Sequence, residues 1–182
     1  GMDGLFIHPV SDPAVMAGNG TIGLEILEDL PDADAIVIPY GGGGLSCGIA
    51  SAVRALKPDT RIFACEVATA APFAASLAAG SPQTITYTPS FVDGIGGLFV
   101  LPEIWPLARR LLGGSLVMAL AEVAAAVRLL VERNRVVAEG AGATSVAAAL
   151  AGRAGTGKVV CVVSGGNIDG GKLATILRGE MP

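Results

Sequence analysis

The chain has 182 residues and a formal net charge of −4, with an isoelectric point near 4.9. Its longest basic run is Arg109-Arg110, which argues against the basic patch that a nucleic-acid partner requires. Hydrophobic residues make up 52% and aromatics only 4%. A core of Ala, Val, Leu and Ile follows, with helices close-packed on parallel strands and no all-β sandwich.

No apolar run reaches the roughly 18 residues of a membrane span, so no membrane partner is expected. Gly1 to Pro13 lacks the basic start and apolar block of a secretory leader. The 3 cysteines, Cys47, Cys65 and Cys161, form no CxxC pair and each sits in an apolar stretch. Buried free thiols in a reducing cytoplasm are the expectation.

In chain order, Gly18 to Leu30 is predicted as a loop followed by a helix, stopped at Pro31-Asp32. Ala35 to Pro39 has the composition of a buried parallel strand. Leu45 to Leu56 is predicted helical, with Leu45, Ile49, Val53 and Leu56 on one face. Arg61 to Glu66 gives the next strand, completing a βαβ unit. Ala68 to Gly80 is predicted helical, Ser81 to Gly97 irregular, and Leu101 to Leu112 helical again. Leu120 to Val131 is the clearest amphipathic helix. Val136-Val137 is short and extended. Gly140 to Ala151 is a small-residue helix, Val159 to Val163 a strand, and Ile168 to Leu177 a closing helix. The fold class is therefore α/β, a three-layer αβα arrangement on an open, mainly parallel sheet.

Four segments could carry chemistry. The first is Tyr40-Gly41-Gly42-Gly43-Gly44-Leu45, where a strand runs into glycines and a helix follows. Amides without side chains, at the positive end of a helix, suit an anion and above all a phosphate. The bland alternative is a turn needing positive φ. The loop is not GxxxxGK[ST], which disfavours a nucleoside-triphosphate loop, and it lacks a spaced GxGxxG. Glu66 at the end of the next strand still keeps a nucleotide-binding α/β domain as a competitor.

The second segment is Ser164-Gly165-Gly166-Asn167, which places a hydroxyl at the carboxyl end of a strand, where ligands sit in open α/β sheets. Ser164 as a helix N-cap is its alternative. The third is Glu139-Gly140-Ala141-Gly142-Ala143, with an acid before a helix that could face a ligand or favour the helix N-terminus. The fourth is Asp93-Gly94-Ile95. His8, the 1 histidine, precedes Pro9 and is read as structural. With a single histidine and scattered acids, no metal site is expected.

Taken together, these motifs resemble one family. Ile7-His8-Pro9, Ala17-Gly18-Asn19-Gly20-Thr21, Gly41 to Leu45, Asp93-Gly94-Ile95, Glu139 to Ala143 and Ser164 to Asn167 occur in the order of the threonine and serine dehydratases and serine racemases. These are pyridoxal 5'-phosphate (PLP) enzymes of fold type II, the tryptophan synthase β-like fold. The resemblance implies that Gly41, Gly42, Gly43, Gly44 and Leu45 hold the PLP phosphate through their amides. It implies that Ser164 faces the pyridine nitrogen and that Gly94 and Glu139 line the ring. The implied reaction takes a hydroxy amino acid to a 2-oxo acid and ammonia.

The departures from the family pattern also matter. The family's imine-forming lysine lies in a Ser-Phe-Lys-type motif upstream of the His-Pro segment. Lys57, Lys158 and Lys172 stand in other contexts, so no catalytic residue is assigned. The serine-rich loop that grips the substrate carboxylate is likewise not seen. Asn19 replaces the usual Gln. Where some members carry a second cation-binding acid, six positions beyond Glu66, this chain has Pro72. The expectation is a single domain over 1–182, the C-terminal portion of the family's large domain truncated at its N-terminus. Such a chain would be inactive alone and self-associating. A non-catalytic phosphate- or PLP-binding module remains the alternative.

Overall fold

The computed structural model describes residues 4–182. Strands β1 (Ala35–Pro39), β2 (Arg61–Val67), β3 (Ser115–Met118) and β4 (Val159–Cys161) form one sheet in the order β3-β2-β1-β4. Every pairing is parallel, with Ala35 opposite Arg61 on one side of β1 and opposite Val159 on the other. Side chains alternate across a strand, and β1 uses both faces. Ile36 and Ile38 enter a core with Ile49, Val53, Ile62, Phe73 and Trp105. Val37 enters a second core with Cys65, Val67, Val123, Val127 and Ala147. The first core is closed by helices α1 (Pro13–Asp29), α2 (Gly44–Leu56), α3 (Pro72–Ala79) and α4 (Trp105–Leu111). The second is closed by α5 (Leu120–Leu129), α6 (Gly140–Leu150) and α7 (Gly170–Leu177). The three-layer αβα arrangement read from the sequence is the one observed.

Several boundaries differ from expectation for local reasons. α1 starts at Pro13, so Gly18 to Gly20 are helical and not a loop. Asp12 caps that helix by accepting from Ala14 N at 2.8 Å, with Pro13 already in the first turn. The helix expected from Ala68 begins only at Pro72, because Ala70 N donates to Val67 O in a turn. The helix expected from Leu101 begins at Trp105, after a turn in which Ile104 N donates to Leu101 O. β3 had no sequence signal beyond three apolar residues after Gly113-Gly114. Pairing with β2 creates it, as tertiary context does for short edge strands. Helix α5 widens at its end into a π turn over Leu130–Asn134, closed by Arg135 at φ 60°. Val136-Val137, expected as a short extended pair, joins no strand; Val136 N donates to Leu130 O at 3.1 Å.

The close approach of α1 and α2 fixes the entry to the site described below. It depends on Gly48, where an added methyl would overlap the Met16 carbonyl and come within 2.9 Å of Asn19 Cβ. Both neighbours are on α1, and one is backbone, so neither can retreat cheaply.

Glu66 resolves one sequence alternative. Its side chain is buried, and its carboxylate accepts from Phe73 N and Ala74 N at 2.8 Å and from Ser115 Oγ at 2.5 Å. It therefore caps α3 and ties that helix to β3. A ribose-binding role, the feature that kept a nucleotide domain in play, is not open to a carboxylate spent in this way. Burial pushes its carboxyl above the usual range, against the pull of the Ser115 hydroxyl and the two amides.

Gly48→Ala should lower stability by about 1–3 kcal/mol through overpacking, read as a drop in the urea midpoint at unchanged slope. Glu66→Gln turns an amide NH2 towards N–H donors and should cost about 1–3 kcal/mol, most at acid pH. The native carboxyl is raised above its unfolded value, so its contribution is fully present at low pH and lost as pH rises through the folded value. The Gln variant should lack that slope in denaturation curves taken across the acid-to-neutral range.

Candidate functional site

The site begins where β1, buried at every residue, meets the four glycines. α2 starts at Gly44, with Gly43 as its N-cap in the left-handed region at φ 95° and no side chain capping it. The first-turn amides thus have no side-chain acceptor and sit at the positive end of the helix dipole. Ser46 holds the turn from within by donating to Pro39 O at 3.0 Å.

The glycines serve two different packing needs. Gly43 faces the core, where a methyl would stand 2.7 Å from Ile104 Cγ2 and 3.0 Å from the Tyr40 hydroxyl. Behind it, Tyr40 stacks on Phe73 with ring centroids 4.5 Å apart. Gly44 faces the incoming chain, where a methyl would stand 2.5 Å from Val10 O. His8 sets that approach. Its Nδ1 accepts from Val10 N at 3.2 Å and Ser11 N at 3.0 Å, folding a turn that lays Val10 against Gly42 and Gly44. The structural reading of His8 holds.

The opposite wall comes from the end of β4. Val162 N donates to Val37 O at 3.0 Å, and Ser145 Oγ of α6 donates to Val162 O at 2.8 Å. The chain then reaches Ser164, which is exposed. Ser164 does not cap a helix. That task falls to Asp169, whose side chain accepts from Lys172 N at 2.9 Å at the start of α7.

Glu139 forms the third wall. It is the N-cap of α6, yet its side chain makes no capping bond. A methyl on Gly94 would lie 3.0 Å from Glu139 Oε1, and one on Gly165 would lie 2.5 Å from the same oxygen. The carboxylate is therefore turned away from its helix and lies between the Asp93–Ile95 loop and the Ser164–Gly166 turn. Glu139 N donates to Gly165 O at 3.0 Å, joining the two walls.

These walls enclose a pocket of about 210 Å³ lined by Gly41, Gly42, Gly43, Gly44, Leu45, Gly94, Glu139 and Ser164. Every cofactor-binding residue expected from the sequence is thus brought to one place. Pro9, Val10, Asn19, Ile95 and Ala141 are also in the lining. Pro9, Asn19, Ile95 and Ala141 lay inside quoted motifs without an assigned role. Val10 gave no signal, because an apolar residue in a loop has no chemistry to mark it. A wider cavity of about 590 Å³ adjoins, sharing Gly41, Gly42, Gly94 and Ile95 and reaching His8 and Tyr87.

None of the lysines lines the pocket. Lys57 is the C-cap of α2. Lys158 pairs with Asp32 at the amino end of the sheet. Lys172 reaches Asp93 Oδ2 at 3.4 Å, both side chains partly exposed. What the pocket offers is an anion seat at one end, a neutral hydroxyl at the other and a carboxylate on its wall. It suits a guest with an anionic group for the helix start and a hydrogen-bonding group for Ser164.

Comparison with known proteins agrees with this geometry. The chain is 44% identical over 167 residues to the L-threonine ammonia-lyase of Geobacter sulfurreducens, covering 91% of this chain and 42% of the relative. Among solved structures, a threonine deaminase from Solanum lycopersicum superposes with a TM-score of 0.88 at 31% identity, covering 94% of this chain and 51% of that one. Maize serine racemase superposes with a TM-score of 0.85 at 34% identity, covering 95% and 54%. The chain spans about half the length of the curated relatives it matches. The model of the pyridoxal-phosphate dependent enzymes matches residues 1–165, and with a four-stranded parallel sheet and these relatives, the chain belongs to that family.

Proposed function

We propose that this chain is the cofactor-holding portion of a PLP-dependent ammonia-lyase that converts threonine or serine to a 2-oxo acid and ammonia. The observation that carries the reading is the convergence of the uncapped start of α2 and Ser164 on one pocket. The residues present fit the cofactor. The amides of Gly41 to Leu45 would take the phosphate, and Gly94 and Glu139 would flank the ring. Ser164 would meet the pyridine nitrogen. When bound, PLP supplies an electron sink for the α-carbon of an amino acid.

The protein's part is then to bind, orient and tune. The helix dipole and free amides at the start of α2 would hold the phosphate dianion without a counter-cation. A hydroxyl at Ser164 would not hold a proton on the ring nitrogen as a carboxylate would, and so would leave the electron sink moderate. Lys172 pairs at the surface with Asp93, in the loop carrying Gly94. No described lysine reaches the pocket, so the amine for covalent attachment has to come from polypeptide outside this chain.

Compartment and assembly rest on other features. Free Cys47, Cys65 and Cys161 support a reducing cytoplasm. No helix among the described residues is long and apolar enough to cross a membrane. Exposed Leu5, Phe6, Ile7, Leu98 and Phe99 support a homo-oligomer.

Titration of the chain with PLP, followed by absorbance, should show saturable binding. Pyridoxal, which lacks the phosphate, should bind at least about tenfold more weakly, a difference of about 1.4 kcal/mol. Gly42→Asp, which sets a carboxylate in the anion seat, should weaken PLP by a similar factor. Equal affinity for pyridoxal would sink the phosphate assignment. Purified chain supplied with PLP and threonine should release no 2-oxo acid above the enzyme-free rate. Steady production in a lactate-dehydrogenase-coupled assay would show that the amine requirement is wrong.

A further inference from the structure

Tyr40 stands between the last residue of β1 and the four glycines. The residue is 1% exposed, and its hydroxyl is buried with no hydrogen-bond partner among the described residues. Buried polar groups are nearly always paired, and a Phe would fill the same place without desolvating a hydroxyl. The ring itself is well placed, stacked on Phe73 and packed with Ile104 and Trp105 in the first core. Packing accounts for the ring and leaves the oxygen unexplained.

That oxygen lies against Gly43. A methyl there would stand 3.0 Å from it and 2.7 Å from Ile104 Cγ2. A gap that rejects a methyl rejects a water as well, so a partner on this side has to be main chain. Gly43 O is already taken, accepting from Cys47 N at 2.8 Å, whereas no main-chain amide among the described residues donates to Gly42 O. The peptide between Gly42 and Gly43 is trans, so its carbonyl and its N–H point in opposite directions. Gly43 lines the anion pocket on one side and backs onto the Tyr40 oxygen on the other. With Gly43 N–H turned to an anion in the pocket, Gly42 O turns to the core side, where the hydroxyl lies. Burial pushes the phenol up, so it keeps its proton to donate.

We propose that Tyr40 is a positioning residue for the anion seat: its hydroxyl donates to Gly42 O and holds the Gly42–Gly43 peptide with the N–H towards a bound phosphate. Forming that bond takes the rotation of one peptide between two glycines, which no side chain opposes. The anion and the hydroxyl then grip opposite ends of the same peptide, and each bond polarises the other. An unpaired hydroxyl costs stability until the seat is filled, and the bond then contributes to holding the anion. The proposal rests on the phosphate reading of this loop. It adds a residue that lines neither the pocket nor the adjoining cavity and acts on the guest only through the peptide in front of it.

Tyr40→Phe deletes the oxygen and keeps the ring. Calorimetric titration of parent and variant with PLP and with inorganic phosphate should show both guests bound about three- to tenfold more weakly by the variant, with pyridoxal binding unchanged. Urea denaturation separates this from a merely structural role. In phosphate-free buffer the midpoint of Tyr40→Phe should equal or exceed that of the parent, and saturating phosphate should raise the parent's midpoint more than the variant's. A lower midpoint for the variant in phosphate-free buffer overturns the proposal, since the hydroxyl would already be paired there. So does a variant whose PLP affinity stays within about twofold of the parent's. A parent that binds PLP no better than pyridoxal overturns the phosphate seat and this proposal with it. A preference for PLP that survives intact in Tyr40→Phe overturns this proposal alone.

Discussion

The parallel hydrogen bonding of β1 on both of its edges is the constraint from which the rest follows. Held between β2 and β4 and buried along its whole length, this strand cannot shift without breaking both ladders. Its end therefore delivers the four glycines to a fixed point. The neighbouring ladder with β4 delivers Ser164 to the same end of the sheet, because parallel strands in register finish together. The pocket is thus a product of sheet register more than of the loops that line it.

Two helix starts show how the chain divides its polar groups between structure and ligand. At α3, the orphan amides of Phe73 and Ala74 are satisfied from within by the buried Glu66 carboxylate. At α2, the N-cap is a glycine, with no side chain to offer. A helix whose own sequence supplies no acceptor leaves its dipole and amides for something else. Glu139 makes the same point in reverse. It stands at the start of α6 but turns its carboxylate away, towards Gly94 and Gly165. Position at a helix start therefore did not tell which acids are structural, whereas the direction of the side chain did.

Burial has consequences for the thiols as well. It pushes Cys47 and Cys65 up to about 12, so neither is a thiolate at neutral pH. Their role is packing: Cys47 beneath the first turn of α2, and Cys65 with its Sγ directed at Thr144 O at 3.2 Å. The tight sites of this protein are tight for steric reasons too. Gly48 lets α1 reach α2, and Gly44 lets Val10 reach the loop, so a Gly-rich sequence was partly a record of helix and chain crossings and only partly one of ligand contacts.

The sequence by itself determined the α/β class, the βαβ unit around Ala35 to Glu66, and the identity of most pocket-lining residues. Strand composition and glycine placement are local signals, and the order of the motifs carries family information. It could not determine β3, whose three apolar residues become a strand only because β2 offers an edge. Nor could it determine the start of α3, which a turn at Val67–Ala70 and Pro72 sets. The roles of Glu66 and Glu139 were decided only by which neighbours the fold brought to each carboxylate. Val10 remained unmarked for the same reason, since its place over the glycines depends on the His8 turn.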